Sequence, residues 1–173
     1  MSCALYAGTF DPPTNGHLWV ALEGMMLFDK VIVGVADNPK KKPVITAEER
    51  VNLWHMILDD SITDESERDR IRVIRLTDEY TVRHAKIIGC DYLLRGIRTV
   101  QDYHDEYTLQ SVNHQLEPSV RPVYLMAPPD LTDISSSMIK GMVGYNGWTE
   151  VVRRYVPKQV LAWLNQLHEE DKL

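Results

Sequence analysis

With 173 residues, 44% of them hydrophobic and 25% charged, the chain can form one globular domain around a sizeable core. Its formal net charge of −6 argues against general nucleic-acid binding, because affinity for a phosphate backbone depends on a basic surface. No charged leader precedes an apolar block, and no apolar run approaches the roughly 20 residues of a membrane span, so a soluble, cytoplasmic protein is expected. Cys3 and Cys90, far apart and each at or near a strand, are expected to be buried free thiols.

Cys3 to Tyr6 is short, apolar and closely followed by a glycine, as suits a buried strand. Leu18 to Phe28 is too long for a strand and reads as a helix. Gly8 to His17 is then a strand-to-helix crossover, the place where open α/β sheets bind ligands. In it Gly8 permits close backbone approach or positive φ, Pro12 and Pro13 stiffen the middle, and Gly16 frees the chain before the helix. His17 falls in the first helical turn, where unpaired N–H groups favour an anion and the imidazole adds one more donor. The plainer alternative is a proline turn followed by an ordinary surface histidine.

Lys30 to Ala36 is β-branched and nearly all apolar, a strand covered on both faces. After a turn at Asp37-Asn38-Pro39 and the lysines 40 to 42, Thr46-Ala47-Glu48-Glu49 has capping-box spacing and opens a helix to about Leu58. Asp59 to Arg70 is densely charged and reads as a surface loop. Ile71 to Ile74 is a third strand, Thr81 to Ile88 a short helix stopped by Gly89, and Tyr92 to Leu94 a fourth strand. A helix from about Gln101 to Leu116 ends before Pro118, and Pro122 to Met126 is a fifth strand. A loop, Ala127 to Asp133, leads to Ser135-Ser136-Ser137, where a serine can cap another helix. The tail after Pro157 places Val160, Leu161, Leu164 and Leu167 on one helical stripe. Five strands alternating with helices imply a doubly wound, Rossmann-like α/β domain with a parallel sheet and a C-terminal helix.

Three later stretches fall at crossovers on the same sheet edge as His17. The lysines 40 to 42 follow the second strand, although lysine clusters are often only solvated turns. Arg95 and Arg98 sit at the end of the fourth, where two guanidiniums suit forked phosphate contacts; they can equally pair with Asp102 or Glu106 one turn on. The serine run is either a plain helix cap or a hydroxyl-rich phosphate cradle.

Gly8-Thr9-Phe10-Asp11-Pro12 followed by Thr14-x-Gly16-His17 resembles the opening signature of the nucleotidylyltransferase superfamily, specifically the bacterial phosphopantetheine adenylyltransferases. The resemblance runs on through Asn38-Pro39-x-Lys41-Lys42-Pro43, Thr46-x-Glu48-Glu49-Arg50, Arg95-Gly96-Ile97-Arg98, the Asp102 to Glu106 helix start and Ile134 to Ser137. It implies that Thr9, Phe10 and His17 contact the ATP phosphates. It further implies that Gly96, Ile97, Arg98, Glu106 and the loop Leu131, Thr132, Asp133, Ile134, Ser135, Ser136 and Ser137 hold the rest of the nucleotide. Lys41 and Arg95 would bind the phosphate of 4′-phosphopantetheine, with Thr9 shared and Thr81 beside the pantetheine arm. The implied reaction is Mg²⁺-dependent attack of that phosphate on the α-phosphorus of ATP, with His17, Lys41 and Arg95 carrying it. A homohexamer and coenzyme A as a feedback ligand are implied in the same way, with no metal ligands supplied by the protein. The chain departs from the usual family pattern at Ala7, Asn38, Thr81 and Asp133. Two other readings stay open: a relative acting on nicotinamide mononucleotide, or on CTP with a phosphorylated alcohol; and a silent nucleotide-binding module.

Overall fold

The computed structural model describes residues 1–37, 43–77 and 79–170. Five strands, β1 (Cys3–Gly8), β2 (Lys30–Ala36), β3 (Ile71–Leu76), β4 (Tyr92–Ile97) and β5 (Arg121–Met126), form one all-parallel sheet in the order β3-β2-β1-β4-β5. The chain winds outward from β1 to β3, then returns to β1's other side with β4. The sheet therefore changes winding direction between β1 and β4, and a crevice opens at their carboxyl ends.

Eight α-helices among the described residues cover the sheet and its end: α1 (Asn15–Leu27), α2 (Ala47–Ser61), α3 (Glu65–Arg68), α4 (Thr81–Ile87), α5 (Val100–Leu116), α6 (Ser136–Met142), α7 (Trp148–Val152) and α8 (Lys158–Glu169). Alternation along the strands divides the core in two. On one face Ala4, Tyr6, Val31, Val33 and Leu94 pack against Val20, Ala21 and Met25 of α1 and Trp54 and Leu58 of α2. On the other, Leu5, Ala7, Ile32 and Leu93 meet Val82 and Ala85 of α4. Val160, Leu164 and the α7 residues Trp148 and Val152 form a third cluster with Ile57 and Ile139, which fastens the C-terminal helices to α2 and α6. No helix among the described residues is long and apolar enough to cross a membrane.

Several boundaries differ from the sequence reading. Helix α1 begins at Asn15 rather than Leu18, because Thr14 caps it and draws Gly16 and His17 into its first turn. The charged stretch after Leu58 is no simple loop: α2 continues to Ser61, and Asp64 accepts from the N–H groups of Ser66 and Glu67 to start α3. Helix α7 follows Gly147, which takes the positive φ of 75° that its turn requires. The expectation of two free thiols is overturned. Pairing of β1 with β4 brings Cys3 and Cys90 to a Cα separation of 4.5 Å despite a sequence separation of 87, and their sulfurs form a disulfide.

Candidate active site

A cleft of about 710 Å³ opens at the carboxyl ends of β1 and β4. The first loop forms one wall, the end of β4 and the start of α5 a second, and the segment from Leu131 to Lys140 a third.

In the first loop the positive φ falls on Phe10, at 51°, and not on Gly8. Gly8 is needed for close approach instead, since a Cβ there would lie 2.8 Å from the Phe10 ring. That ring is 2% exposed, with its centroid 5.0 Å from Trp54 and 5.2 Å from Tyr6. Phe10 is therefore a peg that fixes the loop on the core, and what it can offer a phosphate is its backbone. The Asp11–Pro12 peptide bond is cis.

Phe10 also meets the His17 ring edge to face at 5.0 Å. His17 occupies the third position of α1, where a capping box normally carries glutamate or glutamine. The Thr14 N–H donates to His17 Nδ1 at 3.0 Å, and the His17 N–H returns a bond to Thr14 Oγ1. Because Nδ1 accepts that backbone hydrogen, the proton of the neutral ring resides on Nε2. Burial pushes the imidazole pKa down to about 4, and the positive charge of Arg98 adds to the effect. At neutral pH His17 is an uncharged Nε2–H donor.

Arg95 and Arg98 realise both alternatives open to them, since each pairs with an acid and lines the cleft. Arg95 donates through Nε and Nη2 to Glu106 and through Nη1 to the Ala7 carbonyl at 2.8 Å. Arg98 is held by Asp102 through Nε and Nη2, each at 3.1 Å, and donates through Nη1 to the Ile134 carbonyl. Burial alone would raise the Asp102 carboxyl, but its bonds from Arg98 and that charge hold it below the ordinary range. The acids thus fix both guanidiniums in direction, and each terminal nitrogen has a second hydrogen for an incoming anion.

On the third wall, Ser135 caps α6 by accepting from the Met138 N–H, and Ser136 Oγ donates to the Pro12 carbonyl at 2.8 Å, which ties α6 to the first loop. Ser137 is exposed and lines the cleft. With seven residues α6 is a short helix, and hydroxyls rather than a long dipole are what this wall presents.

Of the residues expected at the site, the cleft gathers Thr9, Phe10, His17, Arg95, Gly96, Arg98, Glu106, Leu131, Ile134, Ser135, Ser136 and Ser137. Ile97 is 3% exposed in the core, and only its backbone can take part. Thr132 and Asp133 stand on the same loop outside the lining. Thr81 lines a second cavity of about 190 Å³ between α4, α5 and the last two strands, which shares Arg95, Glu106 and Leu109 with the main cleft. Lys41, with its neighbours 40 and 42, lies outside the described residues.

Sequence reasoning missed Lys140, which faces the cleft one turn after Ser136 and pairs with the buried Asp11 at 2.5 Å. Its spacing from the serine run was the available signal. It also missed the role of Thr14, although Thr14-x-x-His17 has capping-box spacing with an imidazole in place of a carboxylate. Among the described residues no group of three or more His, Cys, Asp or Glu side chains could hold a metal.

Residues 5–142 match the cytidylyltransferase-like family. A phosphopantetheine adenylyltransferase of Chromobacterium violaceum is 37% identical over 171 residues, covering 99% of this chain and 100% of its own. One from Coxiella burnetii is 36% identical over 167 residues, 96% of this chain and 98% of its own. Among solved structures, a Plasmodium falciparum nicotinic acid mononucleotide adenylyltransferase superposes with a TM-score of 0.71 at 14% identity, over 99% of this chain and 98% of that one, a likeness of fold. The chain belongs to the cytidylyltransferase-like family and, within it, to the phosphopantetheine adenylyltransferases.

Proposed function

We propose that this protein transfers the adenylyl group of ATP to 4′-phosphopantetheine, giving dephospho-coenzyme A and pyrophosphate. The acceptor phosphate attacks the α-phosphorus, and the bond to the bridging oxygen of pyrophosphate breaks. The observation that carries this reading is a neutral, oriented Nε2–H donor in a cleft that also holds two fixed guanidiniums.

A phosphate oxygen is already ionised near neutral pH, so the protein supplies no general base. It has to align two anions that repel each other and stabilise the charge that builds on the equatorial oxygens. His17 donates to the α-phosphate as that charge grows. Being uncharged, it does so without holding the product by a full ion pair. Arg98, bonded to the Ile134 carbonyl, joins the nucleotide loop to the end of β4 and faces the ATP phosphates together with the serine hydroxyls. Arg95 stands where the main cleft meets the smaller cavity, and it takes the acceptor phosphate while the neutral arm runs past Thr81, Asn113 and Tyr124. Lys41 assists Arg95 on the acceptor side. Thr9 serves both phosphates. Mg²⁺ would enter on the triphosphate of ATP and screen its charge.

From the same family likeness we infer a homohexamer working in the cytoplasm, with coenzyme A as a feedback ligand. Helix α5 has no buried residue and exposes Val100, Tyr103, Tyr107 and Val112, apolar surface that an assembly would cover.

Pyrophosphate release, assayed with ATP or CTP against 4′-phosphopantetheine, nicotinamide mononucleotide and a phosphorylated alcohol, tests the function. Turnover with ATP and 4′-phosphopantetheine is expected to exceed every other pair. Preference for another pair, or no turnover with any, contradicts the reading.

A further inference from the structure

The Thr46 to Arg50 motif begins α2, away from the cleft lining, yet its arginine is 0% exposed. An arginine is not buried this completely unless its donors are matched. Arg50 Nη1 donates to the Thr9 carbonyl at 2.6 Å and to the Ala36 carbonyl, where β2 ends, at 2.9 Å. Its Nε donates to the carbonyls of Ile45 and Thr46 at 3.0 and 3.2 Å, and Nη2 pairs with Asp37 at 2.5 Å. One side chain thus grips the first loop, the last residues of β2 and the entry to α2. Asp11 makes the reciprocal tie, since its carboxylate accepts from the N–H groups of Val44 and Ile45 at 3.2 and 3.0 Å.

We propose that Arg50 is a positioning residue, which sets the first loop against the β2–α2 connection and so fixes the distance between the two phosphates that must react. The inference rests on the adenylyl-transfer reading. In that reading Thr9, held by Arg50, is shared by nucleotide and acceptor, and Lys41, four residues after Asp37 in the sequence, serves the acceptor. Losing the guanidinium leaves each anion its own donors but lets the two halves of the site drift apart. Because a misplacement of about 1 Å costs on the order of 10²-fold in rate, the loss should appear in kcat and not in the binding of either ligand alone.

Wild type, Arg50→Met, Arg50→Lys and Asp37→Asn are compared by thermal melting, by calorimetric titration with ATP and with 4′-phosphopantetheine separately, and by pyrophosphate release. Arg50→Met is expected to keep both dissociation constants within about threefold while kcat falls about 10²-fold. Arg50→Lys, whose ammonium can reach two of the carbonyls, recovers about tenfold of that loss. Asp37→Asn, at the partly exposed end of the network, lowers kcat by about threefold with both affinities unchanged. If Arg50→Met does not fold, the other two variants decide. Folded Arg50→Lys and Asp37→Asn with wild-type kcat, or affinities that weaken in step with kcat, overturn the positioning role. A wild-type protein that releases no pyrophosphate from this substrate pair overturns the adenylyl-transfer reading and this inference with it.

Discussion

His17→Ala is expected to fold and to lose about 10² to 10³ in kcat, the usual scale for one donor that acts on a transition state. The KM for ATP should change far less, because a neutral donor contributes little to a ground-state phosphate already held by guanidiniums and hydroxyls. Truncation also deprives the Thr14 N–H of its acceptor and opens the capping box of α1, a cost of about 0.5–1 kcal/mol in stability. Steady-state kinetics beside a melting curve separates the two effects. Wild-type turnover in the folded variant would remove the imidazole from the mechanism, whereas a KM effect alone would make it a binding group.

Arg95→Ala is expected to weaken the acceptor by about 10²-fold and ATP by less than about fivefold. The guanidinium is the fork at the junction of the two cavities, and its loss strands Glu106, whose side chain is only 15% exposed, together with the Ala7 carbonyl. Stability should fall by about 1–3 kcal/mol for that reason. Adding Glu106→Ala should restore part of the stability and none of the acceptor affinity. Arg95→Lys should not restore binding either, since one ammonium cannot meet Glu106, Ala7 and a phosphate in the same geometry. Calorimetric titration of each ligand is the check, and equal weakening of both would contradict the assignment.

The strands were legible because most are short apolar runs between turn residues, with β3 interrupted by arginines instead, and β2 reads as buried on both faces from Val31 to Val35. Strand order was not, because nothing in the letters of Tyr92 to Ile97 says that this strand returns to pair with β1. That one pairing joins Cys3 to Cys90 and brings Arg95 and Arg98 to the first loop. Helix starts were legible where the cap is conventional, as at Thr46 with Glu49, and missed where it is not, as at Thr14 with His17. Asp59 to Arg70 reads as a surface loop from its charge density, which concealed the end of α2 and all of α3, whose signal is the single cap Asp64. At the site, the motif pointed to the imidazole. Its tautomer and its uncharged state come from a backbone bond and from burial, which no residue type announces.

The most direct measurement is ¹⁵N NMR of His17, titrated from pH 8 downward with and without a non-hydrolysable ATP analogue. A neutral ring with its hydrogen on Nε2 is predicted, with protonation only near pH 4 in the folded protein. The unfolded chain takes up that proton nearer pH 6.5, so this residue's share of stability is complete above 6.5 and is lost as pH falls toward 4. An imidazolium at pH 7, or a neutral ring with its hydrogen on Nδ1, would contradict the claim that a fixed, uncharged donor faces the reacting phosphorus.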